Sequence, residues 1–365
     1  MNIKNDDSDM NQSVGFSDQE LKAKISVPYG KAVYGEDEIN AVVAAMRNST
    51  QMGKNVHEFE AKVAKLFNKK HGVMVNSGSS ANYLAVEIAD LPKGSEVITP
   101  ILTFSTTVAP LVKNGLVPVF VDVEESTFNI DAEKVEAMIS DKTSAMMIPN
   151  LLGNLPNWIK LREIADKYNL FVIEDSCDTL GATVNGELTG GYADITTTSF
   201  YGSHIITCAG NGGLLAVKSD KLLERAKLLR SWGRNSSLFV DSEAIENRFN
   251  TFVDDIRYDA KFLFSALGYN FEPSEIGAAF GLVQLAKLEK NIQAREHWFN
   301  FHMKYFKNLE QYFILPKQLK GLTTAWIAFP LIVKEDAPFT RTDLQIFLEK
   351  LSIQTTRIQL TTATH

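Results

Sequence analysis

Ser199 and His204 open the stretch of this chain whose residue types best suit chemistry, residues 196–217. An apolar strand end over 195–200 runs into a short polar turn, His204 follows, and a glycine-rich return leads into a second apolar run over 214–217. Imidazole takes and gives a proton near neutral pH, and a serine at a strand end offers a hydroxyl. Gly210, Gly212 and Gly213 are expected to let the backbone approach a neighbour closely. The stretch reads as a hairpin-like edge that delivers Ser199 and His204 to a pocket. A lone histidine is more often a satisfied or solvated side chain, so the reading depends on what else reaches that pocket.

Three further clusters fall at strand ends. After an apolar strand over 73–75 the chain breaks at Asn76-Ser77-Gly78-Ser79-Ser80, and a helix is expected from about Ala81. Small hydroxyl residues and a glycine at a strand-to-helix turn expose amides at the positive end of a helix dipole, which suits a phosphate. The same turn is also an ordinary helix cap. Phe104 lies just past a strand over 96–99, where an aromatic covers a flat ring or joins the core. A strand over 170–173 ends in Glu174-Asp175-Ser176-Cys177-Asp178.

The elements that hold these residues alternate. Strands over 117–121 and 145–148, and a helix over 158–168, complete a series of apolar strands separated by helical periodicity. That pattern indicates a mostly parallel sheet covered on both faces, with function collected at the carboxyl ends of strands. A nicotinamide site would want G-x-G-x-x-G after the first strand, and none stands there. Helical stripes of Ile39, Val42, Val43 and Met46, and of Phe59, Val63 and Leu66, read as core. Residues 1–30 are polar and acidic at the start and read as a mobile N-terminal arm. Residues 31–290 read as a large cofactor-binding domain, with a charged, irregular insertion over 241–261 and one long helix after Gly268-Tyr269-Asn270. Residues 291–365 read as a small α/β domain with a strand over 327–333, a helix over 341–351 and a strand-like 353–356.

Composition narrows the class. The net charge is −7 and basic residues are scattered, so nothing marks a nucleic-acid surface. Two cysteines, Cys177 and Cys208, are too few for a disulfide scaffold and suit a reducing cytoplasm. The most apolar stretch, 97–112, is interrupted by Pro100 and Pro110 and does not read as a membrane span. No metal-ligand pattern is expected.

The order NSGSSAN, PILTFSTTV, VIEDSCDTLGA, TTTSFYGSHIITCAGNGG and GYNFEPSEIGAAFGLVQL resembles the sugar aminotransferase and dehydratase family, DegT/DnrJ/EryC1/StrS, from about residue 27 to 357. The resemblance implies the α/β aminotransferase-like fold of fold-type I, with a mostly parallel large-domain sheet and a smaller C-terminal domain, in a homodimer. It implies pyridoxal or pyridoxamine 5'-phosphate as cofactor. By position, Gly78, Ser79 and Ser199 resemble the phosphate cradle and Phe104 the aromatic over the pyridine ring. Asp175 resembles the carboxylate that keeps the ring nitrogen protonated. Asn270 resembles a phosphate ligand given by the neighbouring subunit.

Aminotransferases of this family carry a lysine where this chain has His204, and that lysine holds the cofactor covalently. Histidine cannot. The exchange resembles the family's 3-dehydratases of nucleotide-linked 4-keto-6-deoxyhexoses, which serve deoxysugar and lipopolysaccharide biosynthesis, and it implies non-covalent pyridoxamine phosphate with His204 as base. One type in that branch holds an iron–sulfur cluster on four cysteines. Only Cys177 matches, and Ser236, Ser237 and Leu238 stand near the others' place. The expectation is therefore the cluster-free type, re-aminated by glutamate. A sugar aminotransferase and a non-catalytic cofactor-binding homologue are the alternatives. Family members run on past the motif at 353–357, so the small domain reads as cut short.

Overall fold

The computed structural model describes residues 26–239 and 241–356. Seven strands form the central sheet: β1 His71–Val75, β2 Glu96–Pro100, β3 Val117–Val121, β4 Thr143–Pro149, β5 Phe171–Asp175, β6 Ile195–Ser199 and β7 Gly213–Val217. Their order across the sheet is β1-β7-β6-β5-β4-β2-β3. The pairs among β6, β5, β4, β2 and β3 are parallel, and β7 runs antiparallel to both β6 and β1. The hairpin expected over 196–217 is therefore present, but it is not an edge. β1 covers the far side of β7 in full register, from His71 opposite Val217 to Val75 opposite Gly213.

Side-chain alternation sorts the strands' apolar residues to two faces. On one face Val73, Val75, Val97, Ala145, Met147, Ile173 and Leu215 pack with Leu84 and Ile88 of the helix Gly78–Ala89 and with Leu229 of the helix Asp220–Arg230. On the other, Ile98, Met146, Ile148 and Val172 pack on Trp158 and Leu161 of the helix Trp158–Tyr168. A third cluster joins Phe59 and Val63 of the helix Lys54–Lys65 to Met74, Phe200 and Leu214. With both faces covered, the exposed strand ends are what remains to build a site.

Several expectations are corrected. The helix after β1 begins at Gly78 rather than Ala81, because Ser77 caps it by accepting from the Ser80 amide at 3.1 Å. In the helix Glu36–Asn48, Ile39, Val43 and Met46 are exposed rather than core. That helix turns Glu38 and Ala45 inward instead, and Glu38 bonds Gln284 and Lys287 beside the helix Glu275–Ala286. The long helix after Asn270 is two, Glu275–Ala286 and Leu288–Phe306, divided at Lys287. Residues 241–261 are not wholly irregular: they hold the short helix Ile245–Arg248 and a hairpin of Thr251–Val253 with Ile256–Tyr258. Of the strand expected over 327–333 only Ile332–Val333 forms, paired with Phe313–Ile314, while the helix Arg341–Lys350 is as expected. Ile353 makes a single bridge to Val27, and the Tyr29 amide donates to Gln354 Oε1. Residues 27–29 are thus tied down rather than part of a free arm. The rest of the arm, 1–25, lies outside the described residues, as does Arg357.

Candidate active site

Asp175 closes β5 and is 5 % exposed. Its Oδ2 accepts from Asn82 Nδ2 at 2.7 Å and from Thr107 Oγ1 at 2.8 Å. Its Oδ1 accepts the Cys177 amide at 3.2 Å, and the Cys177 thiol also bonds this carboxylate. The two partners are themselves fixed: Thr197 Oγ1 donates to Asn82 Oδ1 at 2.6 Å, which sets the amide's orientation, and Thr103 Oγ1 donates to Thr107 Oγ1 at 3.0 Å. Oδ2 thus carries two donors from fixed side chains, and the Cys177 turn holds the other side of the carboxylate.

Gly78 and Ser79 open the helix after β1. Ser77 satisfies the Ser80 amide, and the amides of Gly78 and Ser79 have no acceptor among the described residues. A Cβ on Gly78 would meet Ser199 Cβ at 2.6 Å, Ser199 Oγ at 2.9 Å and Cys177 Sγ at 3.0 Å. The helix start therefore touches the end of β6 and the turn after β5. Ser79 Oγ donates to Thr106 Oγ1 at 3.2 Å, which draws the helix Ser105–Lys113 to the same place. Phe104 is that helix's N-cap residue and is 54 % exposed, so it is not a core phenylalanine. Gly213 explains part of the glycine-rich return, since a Cβ there would meet the Ser77 carbonyl oxygen at 2.2 Å. Gly210 is needed for its backbone instead: φ is +100° and nothing lies within 4 Å.

His204 is partly buried, and its Nδ1 lies in hydrogen-bond contact with the Cys177 carbonyl oxygen, with Asp178 Oδ1 at 3.9 Å. A carbonyl only accepts, so Nδ1 carries the hydrogen and the neutral ring keeps its lone pair on Nε2. Burial pushes the Asp178 carboxyl up, opposed by His204 and by the Leu152 amide, which donates at 2.9 Å. Burial likewise pushes the Cys177 thiol well up, with Asp175 adding to it, so it is a poor nucleophile.

Gly78, Ser79, Ser199, Asp175 and His204 are thus joined through the Cys177 turn and Thr106, with Phe104 two residues from Thr106. Asn270 stands apart: it bridges to Ser231, its Oδ1 accepts the Glu272 amide at 3.0 Å, and it makes no hydrogen bond to the other six among the described residues. Asn82, Thr107 and Thr197 join the site without having stood out in the sequence, and Asp178 joins it from the cluster at the end of β5. A polar Asn82 on an otherwise apolar helix face, and threonines four apart at 103 and 107, were the available signals.

A parallel sheet with one reversed strand inserted beside β1, and a polar pocket at its carboxyl ends, define an aminotransferase-like α/β protein of fold-type I. The chain belongs to the DegT/DnrJ/EryC1/StrS aminotransferase family, whose model matches residues 33–365. It is 37 % identical over 341 residues to the lipopolysaccharide biosynthesis protein RfbH of Salmonella typhimurium, covering 90 % of this chain and 78 % of that one. Its structure is similar to that of the E. coli GDP-4-keto-6-deoxy-D-mannose-3-dehydratase with bound hydrated PLP, with a TM-score of 0.83, 30 % identity, and 92 % and 86 % of the two chains covered. It is also similar to a GDP-4-keto-6-deoxymannose-3-dehydratase with a trapped PLP-glutamate geminal diamine, with a TM-score of 0.81, 28 % identity and 91 % and 86 % covered.

Proposed function

We propose that this protein is a pyridoxamine phosphate-dependent 3-dehydratase (a lyase) of a nucleotide-linked 4-keto-6-deoxyhexose, working in the cytoplasm without an iron–sulfur cluster. The observation that carries the reading is His204, a histidine where the family's aminotransferases carry lysine, held so that Nε2 is the basic nitrogen. The similar E. coli dehydratase with bound PLP supports the cofactor class, and the PLP-glutamate adduct in a similar enzyme supports glutamate as amino donor. With two cysteines in the whole sequence, a four-thiolate cluster has too few ligands.

The residues present fit the cofactor. Two helix amides without an acceptor among the described residues, with the Ser199 hydroxyl, are donors for its phosphate, and the Ser79 hydroxyl joins them by turning from Thr106. The exposed Phe104 ring suits the face of a pyridine. Asp175 offers a fixed carboxylate at the strand end for a ring N–H, and Asn82 and Thr107 hold it in place.

When bound, the cofactor supplies an amine for the C4 ketone and a protonated ring that accepts electrons. Asp175 keeps the proton on the ring nitrogen. His204 Nε2 removes a proton from carbon next to the amine and, now protonated, returns it to the departing C3 oxygen. The helix start and Ser199 fix the phosphate end, so the distance from His204 to the reacting carbon is set by the sheet's strand ends.

The reading includes a homodimer in which Asn270 serves a neighbour, supported by its making no hydrogen bond to its own chain's site residues among the described residues. It also includes the division into 31–290 and 291–365, whose boundary falls in the first turn of the helix Leu288–Phe306. Among the described residues no helix is long and apolar enough to cross a membrane. The test is purified protein with pyridoxamine phosphate, glutamate and a panel of nucleotide-linked 4-keto-6-deoxyhexoses, with products read by mass. Loss of the C3 hydroxyl is expected. An amino sugar as sole product replaces the reading with an aminotransferase, and no turnover on any member of the panel overturns it.

A further inference from the structure

Resting on that reading, we propose that Arg295 and Asp178 are positioning residues for His204, joined to it by a ring of four hydrogen bonds and one charge contact that passes through Leu152 and Ile327. The ring can be followed atom by atom. Arg295, on the helix Leu288–Phe306, donates from Nη2 to the His204 carbonyl at 3.4 Å and from Nη1 to the Ile327 carbonyl at 3.2 Å. The Ile327 amide donates to the Leu152 carbonyl at 3.0 Å, and the Leu152 amide donates to Asp178 Oδ2. The other oxygen of Asp178 faces His204 Nδ1.

Three observations separate this ring from ordinary packing. Asn291, one turn before Arg295, donates to the Ile205 carbonyl at 3.3 Å, so one helix face grips two consecutive carbonyls of the His204 loop. Leu152 is held at φ +60°, ψ +16°, a left-handed conformation unfavourable for leucine, and that conformation is the one in which its amide reaches Asp178. Gly153 beside it has no room for a side chain, since a Cβ would meet the Ile327 amide nitrogen at 2.6 Å. The backbone strain at Leu152 and the close approach at Gly153 both serve the contact between the 150–153 loop and the 324–327 segment. That segment therefore bears on His204 from two sides, through Arg295 on its carbonyl and through Asp178 on its ring.

Asp178 is the charge that matters for the imidazole. The other charged or titratable groups facing His204 are Cys177 in the same turn, Tyr201 on its own loop, Arg295 and His302 from the helix, and Lys31 from the N-terminal segment. Tyr29 faces Asp178. An ionised Asp178 favours the protonated ring, which is the form that returns the proton in the proposed reaction.

The test is the imidazole titration of His204, followed by NMR in histidine-labelled protein with pyridoxamine phosphate bound and assigned by the signal lost in His204→Asn. Asp178→Asn is expected to lower the titration midpoint and to shift the pH profile of dehydration the same way, without weakening cofactor binding. Arg295→Gln is expected to lower kcat about 10-fold or more, with KM for the sugar little changed, because the base is displaced and the substrate contacts are not. Should Arg295→Gln fail to fold, Arg295→Lys carries the same comparison, since a lysine keeps the charge but cannot span both carbonyls. An unmoved His204 midpoint in Asp178→Asn, or wild-type kcat in the folded Arg295 variant, overturns the proposal. If no sugar in the panel is dehydrated, the functional reading fails, and the titration still decides whether Asp178 sets His204.

Discussion

Asn82 and Asp175, 93 positions apart, meet in the core with Nδ2 of one donating to Oδ2 of the other at 2.7 Å. The amide cannot turn over without losing the bond that Thr197 gives to its Oδ1. Asp175 is therefore held as an acceptor in one orientation, with the Cys177 turn on its other oxygen. Replacing it by alanine or asparagine removes the negative partner of the ring nitrogen, so turnover is expected to fall much further than affinity for the nucleotide sugar. Asn82→Ala leaves the carboxylate in place with one donor fewer. It is expected to cost about 2 kcal/mol of stability, in the range for hydrogen bonds to charged groups. Denaturant unfolding measures the second effect, and steady-state kinetics the first. Full turnover by Asp175→Ala would detach this strand end from the cofactor ring.

His204→Asn keeps a polar side chain of similar reach but no base. Cofactor binding is expected to persist, read by pyridoxamine absorbance, while loss of the C3 hydroxyl stops. His204→Lys is expected to hold the cofactor covalently, which borohydride reduction and mass spectrometry would reveal, and to gain some amino transfer. Undiminished dehydration by His204→Asn contradicts the assigned role of the imidazole.

Much of this site was legible because its main chain is local. Continuous apolar runs gave β2 to β6 within one to three residues at either end, and Asp175, Ser199 and His204 follow directly from those ends. The lysine-to-histidine exchange is likewise a one-residue observation. What was not legible is whatever depends on contacts across the chain. Nothing near Asn82 announces Asp175, and nothing near Arg295 announces the His204 carbonyl. The stripe Ile39, Val43 and Met46 shows the other limit: periodicity gives the face of a helix, not what covers it. Glu38 took the inward position because Gln284 and Lys287 were there to receive it.

Glu38 makes acid stability a measurable consequence. Burial alone would raise its pKa, but hydrogen bonds from Lys287, the Gly35 amide and Gln284 outweigh that and bring it down to about 2. An unfolded glutamate titrates at about 4.3. Between these values the unfolded chain binds a proton that the folded chain does not, so the contribution is complete above the upper value and is lost as pH falls through the lower. Glu38→Gln is expected to flatten the fall in melting temperature between about pH 5 and pH 2. An equally steep fall in the variant would show that other carboxylates carry the acid transition.

The exposed stripe also bears on assembly. Ile39, Val43 and Met46 lie about 80–140° around their helix from Glu38, off its buried side, and Met46 is 60 % exposed. A second copy of the chain is the proposed cover, consistent with Asn270 having no role in its own chain's site. Burying a methionine contributes about 1.5–3 kcal/mol, so Met46→Glu is expected to weaken the dimer by about 10- to 100-fold. Sedimentation at several concentrations measures it. Asn270→Ala separates the two claims, because it removes the proposed phosphate ligand and not an apolar contact: the dimer should persist while cofactor affinity falls. If Met46→Glu leaves the dimer constant untouched, this face belongs to some other part of the assembly. If Asn270→Ala leaves cofactor affinity unchanged, the neighbour does not complete the phosphate site.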